Sequence, residues 1–322
     1  MAESLRALLR DSIDYAGTFP PASLSLEQAA QNYSAYRRQR EAWMLGRMVC
    51  PVSQLAEIAA LWERETPVED SPRVREGAVS AVLTGGSTAE AWRENVEGEI
   101  RLVREFGQRL RIDVLEVKLP LHTAGQGGKA EWAALLDGLN ADELKTCRIF
   151  LELPREVEPW DAAFRGLVDA LVEFNRRAEC ESKLAFKLRT GGVKPEAFLS
   201  SAQLASVICA LRDAELPWKA TAGLHHPLPG LDAELGVRRQ GFINVLTAAA
   251  MADALKLPKV DVQNILEDDD PLDFQFAGPS LSWEGLSVEV PQIDQARRRS
   301  FASFGSCSFD EPRADLRALG WL

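Results

Sequence analysis

Two lysines in neighbouring apolar runs are the residues best suited to chemistry in this sequence. Lys187 lies in LAFKLRTGG, and Lys219 lies in WKATAGLHHP. Lysines are strongly disfavoured among buried hydrophobic residues unless something pairs with them or uses them. A lysine that loses its proton can attack a carbonyl carbon and form a Schiff base. Both lysines are therefore candidate catalytic residues, and the two runs alone leave open which of them would be the nucleophile.

Further charged residues occupy the other apolar runs. Glu116 and Lys118 share a face of VLEVKLP, Glu152 lies in RIFLELP, and Arg189 shares a face with Lys187. Because alternate strand residues face opposite sides, and a charge is costly against an apolar helix layer, we expect these side chains to point inward. The glutamates are candidate acid and base groups. The same residues could instead be ion pairs that only fill the interior.

All three histidines follow the ends of apolar runs. His122 lies in a glycine-rich loop, and His225 and His226 come directly after the Lys219 run. His225 falls on the same parity as Lys219 and is a candidate catalytic residue. His122 could equally be a solvated surface histidine.

Glycine-containing turns follow several of these runs, in LTGG, RTGG and TAG. Exposed backbone N–H groups near helix N-termini suit phosphate or carboxylate groups. Together with the basic residues, they favour a small anionic substrate. The residues expected to bind it are Arg189, Lys118, Thr190, Gly191, Gly192, Thr221, His226 and Asn244.

The elements that must position these residues alternate regularly. Eight apolar runs, each followed by a helical pattern or a long loop, predict parallel strands with crossover helices. The expected fold is a (β/α)8 TIM-type barrel, and a doubly wound open sheet is the rival. The predicted strands are Met44–Pro51, Val79–Gly86, Val114–Pro120, Arg148–Pro154, Leu184–Gly192, Pro217–Pro227, Gly241–Ala249 and Phe301–Phe309.

The domain prediction is a single barrel covering residues 1–322. Residues 1–43 are expected to form an N-terminal cap and helix, because Ser12–Pro21 is rich in aromatic residues and proline. Residues 258–299 form an acidic insertion before the last strand, interpreted as a lid or an edge hairpin.

Composition excludes several classes of function. A net charge of −11 argues against a nucleic-acid partner, and no run of about 18 apolar residues predicts a membrane span. The five cysteines, an odd number without paired spacing, fit reduced thiols in the cytoplasm. We expect no organic cofactor, because no dinucleotide or Walker motif is present. A homo-oligomer is left open.

Two resemblances add to this. KLRTGG, KATAGLHHP and GSCSFDEP together resemble an uncharacterised bacterial family of barrel proteins. More locally, the segment Phe186–Pro227 resembles class I aldolases of the deoxyribose-phosphate aldolase type, which carry one lysine before a Thr-Gly turn and a second in a Lys-Ala-Ser-Gly-Gly-like strand. The resemblance implies a Schiff-base lyase. Our strand count puts the two lysines on strands five and six, one earlier than in that family.

Three functional hypotheses follow. The first is a carbon–carbon lyase, in which burial and the cations Lys219 and Arg189 lower the pKa of Lys187 from about 10.4 toward neutrality, and Arg189 clamps the anion. The second is a metal-dependent hydrolase or isomerase with zinc or manganese. The third is a non-catalytic protein that binds a small anion. No metal is favoured; the candidate ligands are Glu116, Glu152, His122, His225 and His226, with His225, His226 and Glu152 first among them.

Overall fold

The structure is a computed structural model, and it describes residues 1–65, 77–121, 128–137, 139, 147–177 and 184–322. The strands in these ranges are β1 (Ile13–Tyr15), β2 (Leu45–Pro51), β3 (Ala78–Leu83), β4 (Arg111–Lys118), β5 (Arg148–Glu152), β6 (Leu184–Arg189), β7 (Trp218–Thr221), β8 (Gly230–Asp232), β9 (Val237–Arg239), β10 (Phe274–Ala277), β11 (Ser280–Trp283), β12 (Leu286–Glu289) and β13 (Phe301–Ser306).

Helices follow most of the strands. They are α1 (Glu3–Leu9), α2 (Leu26–Arg37), α3 (Leu55–Glu65), α4 (Ala89–Phe106), α5 (Lys129–Leu136), α6 (Trp160–Arg177), α7 (Ser201–Asp213), α8 (Phe242–Leu255), α9 (Lys259–Glu267), α10 (Val290–Arg299) and α11 (Asp310–Ala318). None of the described helices is long and apolar enough to cross a bilayer.

Eight strands close into a barrel in the order β1-β13-β7-β6-β5-β4-β3-β2. The ladders are parallel, for example between β3 and β4 and between β5 and β6. Parallel neighbours need a crossover connection, which the intervening helices supply. The predicted (β/α)8 barrel is therefore confirmed.

The first barrel strand is β1, which lies in the segment predicted as a cap. Its three residues are all buried, and β1 pairs in parallel with β13. The strand is three residues long and carries Asp14 at its centre, so it lacks the apolar run by which the other strands were found. The assignment of Ser12–Pro21 to a cap was wrong for these residues.

The predicted seventh strand, Gly241–Ala249, was also wrong, because it forms most of α8. Every residue from Phe242 to Ala252 is buried. A helix that is apolar on all sides has no amphipathic period, so a short apolar run does not distinguish it from a buried strand. The alanine-rich continuation to Leu255 favours the helix.

The predicted insertion contains α9, α10 and, between them, a three-stranded antiparallel sheet ordered β10-β11-β12. The indole Nε1 of Trp283 donates a hydrogen bond of 2.7 Å to Asp268. The ring of Phe276 packs edge-on against Trp321, with centroids 5.3 Å apart. The segment therefore has its own ordered sheet rather than a single hairpin. Its role as a lid stays a prediction.

The chain divides into two compact units, the first made of Met1–Tyr15, Gln39–Gly46 and Leu188–Leu322 and the second of Ala16–Arg38 and Arg47–Lys187. Each unit has its own buried polar cluster, around Lys219 in the first and around Lys187 in the second.

Candidate active site

The ammonium group of Lys187 lies between two carboxylates in the second unit. Its Nζ is 2.8 Å from Oε2 of Glu116 and 2.9 Å from Oε2 of Glu152. Only 7% of Lys187, 2% of Glu116 and 4% of Glu152 are exposed. Buried charges persist when opposite charges and hydrogen bonds compensate for lost water. These residues form one interacting group with a single ammonium and two carboxyl groups.

Strand register brings these side chains together. Glu152 pairs with Lys187 across β5 and β6, and Lys118 pairs with Glu152 across β4 and β5. Phe186 packs edge-on against Phe164 of α6, with ring centroids 5.2 Å apart. Because successive strand residues point to opposite faces, Lys187 points away from the helix layer and toward the inner face of the sheet, as its parity predicted.

A fourth residue, Ser80, was missed by the sequence analysis. Its hydroxyl donates a hydrogen bond of 2.6 Å to Oε1 of Glu116, and it is fully buried. Val82 lies opposite Glu116 in the register of β3 and β4, so Ser80, two residues earlier, shares the face of Glu116. A serine in an apolar strand was the available signal. We call Ser80, Glu116, Glu152 and Lys187 the Lys187 cluster.

The pKa of Lys187 is raised, which contradicts the predicted shift. Burial acts to lower the pKa of this ammonium, but the carboxylates of Glu116 and Glu152 act in the opposite direction and outweigh burial. Opposite charges at hydrogen-bond distance favour the charged form. The resting group is therefore an ammonium, and the prediction of a neutral amine produced by nearby cations was wrong.

The second lysine, Lys219, belongs to a separate cluster in the first unit. Its Nζ donates a hydrogen bond of 2.7 Å to Oδ2 of Asp14, and the hydroxyl of Ser303 donates one of 2.6 Å to the same oxygen. All three residues are at most 2% exposed. Asp14 was missed because its strand was predicted as a cap. We call these residues the Lys219 cluster.

The added first strand changes the positions of the two lysines in the barrel. Counting from β1, Lys187 lies on strand six and Lys219 on strand seven. The sequence count of five and six was wrong by one.

The histidine pair contacts α11. His225 Nδ1 is 3.4 Å from Oε2 of Glu311, and His226 Nδ1 is 2.7 Å from Oδ2 of Asp315. Burial lowers the pKa of His225, and the charges of Arg239 and His226 lower it further, whereas Glu311 opposes them. A neutral imidazole at His225 is therefore expected at pH 7. His122 lies outside the described residues.

Two basic candidates lie at the ends of their strands. Lys118 pairs with Glu152 and so shares the inner face of the sheet, but its side chain is half exposed and its Nζ lies 3.7 Å from the carboxylate of Glu156. The position at the last residue of β4 lets its long side chain reach solvent. Arg189, the last residue of β6, is partly exposed.

The glycine turns after β6 and β7 pack against each other. Thr190 N–H donates to the carbonyl of Thr221, and its hydroxyl donates to the carbonyl of Ala222. A Cβ added to Gly191 would lie 2.8 Å from Cα of Gly223. Close backbone approach therefore accounts for these glycines. Gly192 is also crowded, since an added Cβ would lie 2.9 Å from Cβ of Ala197.

The LTGG turn already holds an internal anion. The backbone N–H and the hydroxyl of Thr84 donate hydrogen bonds of 2.8 and 2.5 Å to the carboxylate of Glu99. The backbone N–H of Thr84, which was expected to be available to a substrate anion, thus already donates to Glu99 of α4.

Asn244 does not lie at a strand end. It is fully buried in α8, and its amide Nδ2 donates to the carbonyls of Ile265 and Asp268 at 2.7 and 2.6 Å. Its assignment to substrate binding rested on the wrong seventh strand. The contacts instead tie α8 to α9 and the residue after it.

Among the described residues, no group of three or more His, Cys, Asp or Glu side chains is arranged to hold a metal ion. Cys50, Cys147, Cys209 and Cys307 form no disulfide in the part of the chain that the structure describes.

Comparisons with known proteins add little to this geometry. The sequence matches no protein-family model and no curated protein. A solved structure, described as the catalytic domain of mannanase from Streptomyces sp. SirexAA-E, is 14% identical over 77% of this chain and 73% of that chain, with a TM-score of 0.41. A similarity this low carries no functional argument.

Proposed function

We propose that the protein is an enzyme that acts on a small anionic carbonyl compound through a Schiff base on Lys187. The single observation that carries the proposal is the buried placement of Lys187 between Glu116 and Glu152. This amine lies on the inner face of the barrel, two residues before the last residue of β6. Active sites of such barrels form at that end of the strands. The reaction class is a carbon–carbon lyase of the aldolase type.

The two carboxylates can supply the neutral amine that the reaction needs. A proton moves from Nζ of Lys187 to a carboxylate oxygen less than 3 Å away, which leaves a neutral amine and a carboxylic acid. The amine then adds to the carbonyl carbon, and loss of water gives a protonated imine. That imine carries the positive charge formerly on the ammonium, so the ion pairing with the carboxylates persists.

Bond cleavage follows from the same charges. The protonated imine accepts the electron pair of the adjacent carbon–carbon bond, while a carboxylate removes the proton of the β-hydroxyl group. An aldehyde leaves, and the resulting enamine is protonated at carbon and hydrolysed to release the second product. Arg189, at the end of the same strand, is proposed to bind the anionic group of the substrate.

Reductive trapping tests this proposal. The purified protein is incubated with a panel of aldehydes and keto acids, reduced with borohydride, and weighed by mass spectrometry. We expect a covalent adduct in the wild type and in Lys118→Met, and none in Lys187→Met. Absence of an adduct across the panel would count against the Schiff base.

The raised pKa of Lys187 favours a second candidate, an enzyme that uses the same ammonium for proton transfer without a covalent intermediate. Trapping during turnover discriminates the two, because only the first forms an imine that borohydride can reduce. Turnover with no reduced adduct on Lys187 would support the second candidate, and an adduct on Lys187 would support the first. Binding of an anion without turnover or adduct would support the non-catalytic alternative.

A further inference from the structure

We infer that the two carboxylates of the Lys187 cluster have different functions, with Glu116 as a permanent counter-ion positioned by Ser80 and Glu152 as the group that exchanges the proton. The catalytic part of this inference rests on the proposed Schiff-base function, and it adds Ser80 as a positioning residue. The difference between the carboxyl groups themselves can be tested without any substrate.

Both carboxylate oxygens of Glu116 contact a donor. Its Oε1 accepts the 2.6 Å hydrogen bond from Ser80, and its Oε2 lies 2.8 Å from Nζ of Lys187. A donor therefore faces each oxygen of this buried carboxylate. Hydrogen bonds to the charged form stabilise it, so Glu116 is held as an anion. The Ser80 contact also fixes the carboxylate plane against which Lys187 is placed.

Glu152 lies nearer than Glu116 to the carboxyl ends of the strands. Glu152 is the last residue of β5 and pairs with Lys118, the last residue of β4. Glu116 lies two residues earlier on β4, about 6.6 Å further from the carboxyl end. Lys118 is half exposed, so solvent reaches the strand at the level of Glu152. A substrate that enters at the carboxyl end meets Glu152 before it meets Glu116.

The contact between Ser80 and Glu116, together with the position of Glu152 at the carboxyl end of β5, assigns the proton path. The N–H bond of Lys187 breaks, and an O–H bond forms on Glu152 while Glu116 stays charged. The neutral amine adds to the carbonyl carbon, and one of its protons moves to the carbonyl oxygen to give a carbinolamine. The acid Glu152 then gives its proton to that hydroxyl group, which leaves as water. Glu152 is again a carboxylate beside the protonated imine. No other reactant is required.

Titration of the carboxyl groups tests the assignment directly. The protein is labelled with glutamate carrying carbon-13 in the side-chain carboxyl group, and the signals are followed against pH without substrate. The signals are assigned by their loss in Glu116→Gln and Glu152→Gln. If either variant fails to fold, Glu116→Asp or Glu152→Asp, which keeps the charge but removes the labelled glutamate, assigns the signal instead.

We expect the Glu116 signal to titrate at lower pH than the Glu152 signal. In Ser80→Ala the Glu116 midpoint should rise by roughly half to one pH unit, as loss of one hydrogen bond implies, and by more than the Glu152 midpoint. In Ser80→Thr, which keeps the hydroxyl, the Glu116 midpoint should again lie below the Glu152 midpoint by the wild-type amount. A Glu116 midpoint equal to or above that of Glu152, or one unmoved in Ser80→Ala, would overturn the assignment.

Trapping rates separate this inference from the proposed function. We expect adduct formation to slow about 100-fold or more in Glu152→Gln, in line with loss of a general acid–base group. We expect a smaller decrease in Ser80→Ala, because Glu116 loses one hydrogen bond there but keeps its charge. A wild-type rate in Glu152→Gln would refute the proton path. If the wild type forms no adduct although the titration order holds, the proposed function fails while the difference between the carboxyl groups stands.

Discussion

A buried lysine needs compensation for the water it loses, and in the second unit two carboxylates provide it. The single ammonium of Lys187 contacts both Glu116 and Glu152, and Ser80 supports one of them. Such arrangements contribute little net stability compared with apolar packing, but removal of one partner leaves an uncompensated charge. The cluster is therefore better explained by chemistry than by stability, and its residues should respond strongly to single substitutions.

Lys187→Met should lower the free energy of unfolding by about 3–5 kcal/mol, because two buried carboxyl groups lose their cation. The triple substitution of Lys187→Met, Glu116→Gln and Glu152→Gln should recover much of this loss, since no charge remains. Urea unfolding followed by circular dichroism measures both. The exposed control Lys118→Met should change stability by less than about 1 kcal/mol. A single variant as stable as the wild type would contradict the charged state assigned to the cluster.

At the scale of elements, the turns after β6 and β7 depend on close packing of backbone. A Cβ at Gly191 would lie 2.8 Å from both Cα of Gly223 and a ring carbon of Phe198. Neither the backbone nor a packed ring moves at low cost, so these two turns must keep the spacing that glycine allows.

Gly191→Ala is therefore expected to lower the free energy of unfolding by about 1–3 kcal/mol through overpacking. Gly98→Ala is the matched control, because nothing lies within 4 Å of its Cβ position in the middle of α4. Alanine should stabilise that helix by about 0.5–1 kcal/mol. Thermal unfolding of both variants measures the difference. Equal effects of the two substitutions would contradict the packing described for the turns.

The elements also show what the sequence could predict. The sequence predicts β4, β5 and β6 from their long apolar runs. It also predicts that the charged side chains of these strands, which meet in the Lys187 cluster, point inward. β1 was missed because three residues around Asp14 carry no apolar run. α8 was taken for a strand because a fully buried helix loses its amphipathic period. Ser80 and Asp14 required strand register and pairing, which a single sequence does not contain.

At the scale of the whole molecule, stability should depend on pH through buried groups with shifted pKa values. Burial raises the pKa of the Cys50 thiol to about 12, compared with about 9 for an accessible thiol. The Cys50 thiol therefore ionises at a lower pH in the unfolded chain than in the folded protein. The contribution of this group is fully present below pH 9 and is lost as the pH rises toward 12.

The free energy of unfolding should fall more steeply with pH between 9 and 12 in the wild type than in Cys50→Ala, by about 1.4 kcal/mol per pH unit. The two slopes are compared, and not the free energies themselves, because the cavity in Cys50→Ala lowers the free energy of unfolding by the same amount at every pH. Urea unfolding at a series of pH values supplies the data. Parallel curves for the two proteins would mean that the thiol ionises equally well in the folded state.

The central claim is that Lys187, rather than Lys219, supplies the reactive amine. Peptide mapping of the borohydride-reduced adduct by tandem mass spectrometry tests it most directly, because it assigns the added mass to one residue in the unmodified wild-type sequence. We predict the substrate-derived mass on Lys187 and unmodified Lys219 in the same digest. An adduct on Lys219, or one spread over exposed lysines such as Lys118 with Lys187 unmodified, would contradict the claim.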